Sequence, residues 1–451
     1  MSELPKGWVQ AKLSEVAHLV MGQSPPSNTY NASKHGLPFF QGKAEFGDLY
    51  PTVKKYCSCP VKVARAGDVL ISVRAPVGPT NLCAEDSCIG RGLAAIRPLG
   101  GIPNYFLLYY LRSIEGSLAE QGTGSTFTAI SKSDLEQIDV PLPPLNEQRR
   151  IVAKLERLLS RVDTAQARLA KIPRILKRFR QSVLAAACSG RLTADWRGNP
   201  KNEKSNSLPS TWKRRAVEEM LLPGGIFDGP FGSNLKTSDY TDSGVRVIRL
   251  ENVGHLAFNA EKETYVSTSK YESLIRHTVN KRDIIFASFI ADEIRACILP
   301  DLKTKAIAKA DCFCLRPNEE LVDRAYLNYQ LVSNESYVSL INSVHGATRP
   351  RINTAQLRKL MVRICPLSEQ QEIVRRVEAL FKTADTLEAR YLKAKEYVDK
   401  LTQSLLARAF RGELVRQDPN DEPASALLER IWLERIVESR KSRGHTDDRI
   451  Q

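Results

Sequence analysis

Pro144-Leu145-Asn146-Glu147-Gln148-Arg149-Arg150-Ile151-Val152 recurs 222 positions later as Pro366-Leu367-Ser368-Glu369-Gln370-Gln371-Glu372-Ile373-Val374. The match runs without a gap over 144–192 and 366–414, where 20 of 49 positions are identical. The chain is therefore a tandem repeat, and each copy is read against the other. From each quoted segment onward an apolar residue returns at steps of four and three. The first series is Ile151, Leu155, Leu158, Val162, Ala165, Leu169, Ile172, Leu176, Phe179 and Val183. The second is Ile373, Val377, Leu380, Ala384, Leu387, Tyr391, Ala394, Val398, Leu401 and Leu405. This is the spacing of a coiled-coil seam. Each seam covers about 50 Å at 1.5 Å per residue, too long a strip to stand alone in water, so the two copies are natural antiparallel partners. Asn146 is expected to cap the first helix, Ser368 with Gln371 to form a capping box on the second, and Gly190 and Gly412 to stop them. Pro173 removes one backbone bond and predicts a bend near Leu169 rather than a break.

Outside the paired segments the copies share landmarks but diverge between them. Leu4-Pro5-x-x-Trp8 returns as Leu208-Pro209-x-x-Trp212, and Tyr109-x-Leu111-x-Ser113 as Tyr329-x-Leu331-x-Ser333. Gly124, Thr126, Ile130 and Leu135 return as Gly346, Thr348, Ile352 and Leu357. The offset grows along the chain, which places loop insertions early in each copy. Residues 1–143 and 208–365 then form two similar variable domains. The helical spacers are 144–207, including a linker, and 366–414, and 415–451 is a tail outside the repeat. Val69–Val73 and Ile284–Ile290 are expected strands, each after a turn-type aspartate, Asp68 or Asp283. Tyr105–Leu111 and Ala325–Val332 are expected helices. The fold class is α+β: two similar domains joined by two long helices in an antiparallel coiled coil, a tandem repeat with pseudo-twofold symmetry. Gly22-Gln23-Ser24-Pro25-Pro26 and Asp228-Gly229-Pro230-Phe231-Gly232-Ser233-Asn234 interrupt the two domains at matching places, and recognition favours such loops. In the tail, Leu427, Leu428, Ile431, Trp432 and Ile436 can form one face of an amphipathic helix, packed on the protein's own domains or on a partner.

The charge balance narrows the function. The 451 residues carry 66 Lys and Arg against 51 Asp and Glu, a net of +15, which suits a polyanionic partner. The excess is concentrated in 144–207, with 15 basic residues against 5 acidic ones and no acid between Asp163 and Asp195. A solvated helix face, phosphate contacts and an acidic protein partner all fit that run. Nine cysteines at irregular spacings read as reduced, buried thiols. The absence of an apolar run of membrane-spanning length, and a start Met1-Ser2-Glu3-Leu4-Pro5 without an apolar core, lead to the expectation of a cytoplasmic protein. There is no Walker A run, no Asn-Pro-Pro-aromatic or Asp-Pro-Pro-aromatic tetrapeptide, no His-Glu-x-x-His and no nucleophile elbow. The chain reads as a binder, not an enzyme, with no metal site.

The paired Pro-Leu-x-Glu-Gln-x-x-Ile-Val helix openings, each with a Leu-Pro-x-x-Trp at the head of its variable domain, resemble the specificity (S) subunits of type I restriction-modification systems over nearly the whole chain. The resemblance implies that each variable domain is a target recognition domain reading one part of a split, asymmetric site in double-stranded DNA. It implies two methyltransferase (M) subunits docked on the helices and restriction (R) subunits beyond them. The S chain then directs adenine methylation and ATP-dependent cleavage without catalysis of its own. It binds no cofactor, and S-adenosylmethionine, ATP and Mg are expected on the partner subunits. Glu147, Gln148, Glu369 and Gln370 match the helix-opening motif and are expected to be structural or partner-facing. Arg74-Ala75-Pro76-Val77-Gly78 matches a turn of such recognition domains, whereas the second copy has Ala291-Asp292-Glu293 near that place.

Base readout in the major groove favours Arg or Lys against guanine and Asn or Gln against adenine, while phosphates accept from any basic or hydroxyl group. The DNA-binding candidates in the first domain are Gln41, Lys43, Arg74 and the loop Gly122–Thr126 with Thr123, Ser125 and Thr126. In the second they are Lys236, Arg246, Arg249, Asn252, Arg349 and Arg351. Two other readings stand beside this one: an S-like subunit of another restriction-modification class, and a structural coiled-coil scaffold that binds proteins.

Overall fold

The computed structural model describes residues 4–121, 129–198, 208–344 and 349–447. The chain forms two compact units, Met1–Ala170 with Lys393–Gln451, and Lys171–Leu392. These do not coincide with the sequence repeats, because each variable domain packs on helix from both copies.

In the first unit, among the described residues, three sheets form. A four-stranded sheet has the order β2 (Ala17–Met21), β10 (Leu93–Pro98), β7 (Val69–Ser72), β8 (Thr80–Leu82), all antiparallel. A smaller sheet has the order β3 (Tyr30–Asn31), β5 (Tyr56–Cys57), β4 (Leu37–Phe40), β9 (Ser87–Ile89), β6 (Val63–Ala64), with β4 and β9 parallel. Two further strands, β1 (Val9–Lys12) and β11 (Asp139–Leu142), pair where the domain meets its helix. Strand β7 is a continuous apolar run because both of its faces are covered. Val69 and Ile71 enter the main core with Ala94, Ile96 and helix α1 (Asn104–Ser113), while Leu70 enters a second core with Leu93 and Ala95. Asp68 ends the preceding turn by accepting from Arg65 N at 2.8 Å and pairs with Arg97 at 2.7 Å. Helix α2 (Leu145–Leu169) follows.

The second unit opens with helix α3 (Ile172–Cys188) and repeats the topology strand for strand. Its four-stranded sheet has the order β13 (Leu221–Phe227), β21 (Cys312–Pro317), β18 (Ile284–Ala287), β19 (Ala296–Ile298). The smaller sheet has the order β14 (Tyr240–Thr241), β16 (Tyr265–Val266), β15 (Val245–Ile248), β20 (Ala306–Ala308), β17 (Thr278–Val279), with β15 and β20 parallel. Strands β12 (Lys213–Ala216) and β22 (Met361–Ile364) close the domain. Ile284 and Phe286 face the core built on helix α4 (Arg324–Leu331), and Ile285 and Ala287 face the other. Asp283 repeats Asp68: it accepts from Asn280 N at 2.8 Å and pairs with Arg316 at 3.2 Å.

Helix α5 runs unbroken from Leu367 to Phe410. Within the first unit its last turns, with Leu405, Leu406, Ala409 and Phe410, join the core of Ile151, Leu155 and Val162 on α2. Within the second unit its opening turns, with Ile373 and Val377, join the core of Val183, Leu184 and Ala187 on α3. Each pairing is antiparallel. Seam burial weakens away from the variable domains, and Phe179 is 36% and Leu387 47% exposed, because a single partner helix cannot cover a whole seam side chain.

Some local expectations are corrected. The bend expected from Pro173 is an interruption: the hydrogen-bonded helix stops at Leu169 and resumes at Ile172, although Ala170 (φ −57°, ψ −21°) and Lys171 (φ −83°, ψ −22°) keep helical torsions. Proline has no N–H for the carbonyl four residues back. Asn146 and Ser368 lie inside their helices, which begin at Leu145 and Leu367. The carbonyls of Pro144 and Pro366 take the first N–H groups instead, those of Gln148 and Gln370, each at 3.0 Å. Gly190 (φ +82°) and Gly412 (φ +76°) sit at the helix ends as expected.

In the tail, helix α6 (Ala424–Asp447) packs on the first variable domain through Ala424, Leu427 and Ile431. The segment before it is tied to α2 by Arg150 and Asp421 at 2.5 Å. Trp432, expected on the same face, is turned outward and 62% exposed. Among the described residues no helix is long and apolar enough to cross a membrane.

Candidate nucleic-acid interface

The two variable domains hold equivalent loop clusters, and backbone hydrogen bonds establish the equivalence. Gly90 N donates to Phe40 O at 2.8 Å as Lys309 N does to Ile248 O at 2.9 Å, and Val73 N donates to Gly92 O at 2.9 Å as Ser288 N does to Asp311 O at 2.9 Å. In each cluster four pieces meet. They are the loop after β2 or β13, the turn after β4 or β15, the link between β9 and β10 or β20 and β21, and the end of β7 or β18. A returning segment pairs with that strand end, Ala129 opposite Arg74 and Arg351 opposite Phe289.

In the first domain Ser24, Gln41, Lys43, Ser72, Arg74 and Arg91 surround a cavity of about 300 Å³. Glu45 holds the turn that carries Gln41 and Lys43, accepting from Gly42 N at 3.1 Å and Gln41 N at 3.3 Å. Gly92 permits the approach, because a Cβ there would lie 2.2 Å from the carbonyl oxygen of Gln41. Gln41, Lys43 and Arg74, picked singly from the sequence, are thus brought together. Arg91 was not among those picks. Its only local signal was its place in Gly90-Arg91-Gly92 between two short strands. Thr123, Ser125 and Thr126 lie outside the described residues.

In the second domain Asp228, Phe231, Arg351, Asn353 and Thr354 line a cavity of about 360 Å³. Arg351 pairs with Asp311 at 2.5 Å and lies 5.8 Å from the ring centres of both Phe231 and Phe289. Burial pushes the Asp228 carboxyl up to about 6, against the N–H groups of Gly229 and Asp311, which favour its charged form. Nearby, Arg249 and Lys309 both lie over the Tyr240 ring, at 5.6 and 5.4 Å, a favourable cation–π arrangement. Lys309 and Tyr240 were also missed by sequence reasoning. Arg349 and Lys236 are exposed, but neither lines this cavity.

Two candidates are placed differently. Arg246 is buried, paired with Glu263 at 2.6 Å and donating to the carbonyls of Ala260 and Lys262. Asn252 is buried too, donating to the carbonyls of Asn259 and Lys262 and accepting from Arg249 N. Their polar groups hold the Asn252–Tyr265 excursion in place rather than facing a ligand. A buried polar side chain surrounded by loop carbonyls finds its partners there, and a sequence pattern does not reveal which loop will fold over it.

Glu147, Gln148, Glu369 and Gln370 are all buried, which corrects the partner-facing half of their reading. Gln148 donates to Pro143 O at 2.9 Å, and Gln370 donates to Cys365 O at 2.8 Å while accepting from Asp323 N at 2.7 Å. The two glutamates hold the tryptophans of the Leu-Pro-x-x-Trp motifs.

The arrangement suits binding. The described cysteines are free, and all but Cys59 are buried; burial pushes the Cys83 thiol up to about 11 and that of Cys188 to about 12, away from reactivity. Among the described residues no three His, Cys, Asp or Glu side chains group as a metal site would need.

Comparison with known proteins places the chain in a family. The family model described as type I restriction modification DNA specificity domain matches residues 5–174 and 235–396. The EcoDI specificity subunit of Escherichia coli, a type I restriction enzyme component, is 31% identical, with 97% of this chain and 98% of that protein covered. The EcoKI specificity subunit of E. coli K12 is 30% identical over the same shares. The solved HsdS subunit from Thermoanaerobacter tengcongensis superposes with a TM-score of 0.61 at 21% identity, covering 91% of this chain and 98% of that one.

Proposed function

Because this chain belongs to the type I restriction modification DNA specificity family, we propose that it is the sequence-specific DNA-binding subunit of a type I restriction-modification complex. Each recognition domain reads one part of a split, asymmetric double-stranded site. The chain carries out no catalysis; it directs adenine methylation by two M subunits and ATP-dependent cleavage by R subunits. S-adenosylmethionine, ATP and Mg belong to those partners.

The observation that carries the reading is the duplicated cluster. One backbone frame presents Gln41, Lys43, Arg74 and Arg91 in one domain and Phe231, Arg351 and Asp311 in the other. Base edges are distinguished by donor and acceptor pattern, so two copies of one frame with different side chains suit two different half-sites. The basic face of α3, with Lys171, Arg174, Lys177 and Arg178 exposed, adds the sequence-independent attraction that positions such a reader on phosphates.

The test is to express the chain with a type I methyltransferase subunit that binds it and map methylated adenines across the host genome. A split asymmetric motif that disappears when this chain is deleted is the expected result. With the methyltransferase active, methylation that does not depend on this chain would sink the reading.

A further inference from the structure

We propose that Arg351 reads a guanine within the second half-site, and that Asp311 is its positioning residue; the proposal rests on the specificity reading above. Its ground is the way one exposed guanidinium is built in. Arg351 keeps 45% of its side chain exposed, yet it pairs with Asp311 at 2.5 Å and is flanked by the rings of Phe231 and Phe289 at 5.8 Å each. Asp311 is itself fixed. Its carboxylate accepts from Ser288 Oγ at 2.8 Å, and its N–H donates to Asp228 Oδ1 at 3.0 Å. An ordinary surface ion pair has neither the rings nor the second tier.

Two physical points select a base edge over a phosphate. A phosphate is satisfied by any mobile cation, whereas holding a planar fork in one orientation matters for two acceptors at fixed separation, as in guanine N7 and O6. The carboxylates of Asp311 and Asp228 also stand beside Arg351. They would repel a phosphate, but they leave a neutral base edge unopposed.

The first domain shows that the frame does not require this arrangement. Gly92 stands where the second has Asp311, and Ala129 where it has Arg351. There the arginine comes from the other side of the bridge, as Arg74. The clamp is therefore a property of one domain, as a determinant specific to one half-site would be.

The experiment uses the full chain assembled with its methyltransferase partner, a pool of randomised duplexes, and the recovered motif resynthesised with 7-deazaguanine at each guanine in turn. One guanine is expected at which loss of N7 weakens wild-type binding about tenfold. Arg351→Met, which keeps side-chain length but has no donor, should abolish that penalty and the preference for that base pair while leaving selection at the other half-site intact, which also serves as the folding control. Asp311→Asn should relax the preference at the same base pair only. The proposal is overturned if no guanine shows the penalty, if the penalty survives in Arg351→Met, or if the variants weaken all sequences evenly with a shallower salt dependence, as phosphate contacts do. A pool showing no motif with the wild-type assembly would overturn the specificity reading itself.

Discussion

The indole N–H of Trp8 donates to the carboxylate of Glu147 at 3.1 Å, and 204 residues on from Trp8 the indole of Trp212 does the same to Glu369 at 3.1 Å. Each tryptophan also lies against a glycine that ends a helix. A Cβ on Gly412 would be 3.5 Å from the Trp8 ring, and one on Gly190 would be 3.3 Å from that of Trp212. Every Leu-Pro-x-x-Trp thus joins the opening of its own repeat's helix to the end of the other repeat's helix. The two pairs differ in one respect. Glu369 also accepts from Thr193 at 2.7 Å and pairs with Arg197, whereas Glu147 Oε1 is buried with no hydrogen-bond partner among the described residues.

Glu369→Gln should therefore cost about 2 kcal/mol, because it removes a buried carboxylate that accepts from Trp212, Thr193 and Arg197 together. Glu147→Gln should cost less than about 1 kcal/mol, since burial already raises the Glu147 carboxyl above its ordinary range and the amide oxygen still accepts from Trp8. Denaturant midpoints of the two variants, measured side by side, check the difference; equal losses would contradict it.

Val415 occupies the repeat position of Thr193 and packs on the first unit's core. Val415→Thr should give Glu147 Oε1 the donor that Glu369 already has and stabilise the protein by about 1 kcal/mol. A lowered melting temperature would show that the hydroxyl does not reach.

Gly412→Ala combines a left-handed φ of +76° with a Cβ 2.4 Å from Pro5, while Gly224 has a φ of +67° and nothing within 4 Å. Gly224→Ala should cost only the strain of that conformation, about 1–2 kcal/mol. Gly412→Ala should cost clearly more and loosen the first recognition domain, seen as faster hydrogen exchange around Trp8.

Burial holds Asp228 at about 6, above the roughly 3.9 of an unfolded chain. A folded value that is raised means its contribution to stability is fully present below about pH 4 and is lost as pH rises through 6. Asp228→Asn keeps the acceptor for Gly229 and Asp311 and should flatten the fall in stability between pH 4 and 7. An unchanged pH profile would rule the group out as its source.

Arg91 is exposed at the rim of the first cavity. Arg91→Ala should weaken DNA binding by the assembled protein about evenly across sequences and reduce the log–log salt slope by about one. A change in the recovered motif would instead make it a base reader.

Much of the architecture was legible because it is written in local periods. The seams and the helices at Tyr105 and Ala325 follow from side chains that repeat at about three and a half residues, and the strands at Val69 and Ile284 from short apolar runs behind a turn aspartate. Gln41, Lys43 and Arg74, single candidates in the sequence, share one cavity only because the fold brings their three segments together. Arg246 and Asn252 were placed wrongly because their partners are carbonyls 7 to 16 residues away in a loop without a pattern.

The sequence alone determined the duplication, the two long helices and the family, since each rests on residue identities at fixed spacing. Only the tertiary structure decided what the motifs are for. The glutamates of the helix openings are buried against the tryptophans of the domain openings, 139 and 157 residues away. The same is true of the Arg351 clamp, whose members Phe231, Phe289 and Asp311 come from three separate segments. Burial and pairing across such separations depend on how the chain closes on itself, and no spacing along the chain encodes that.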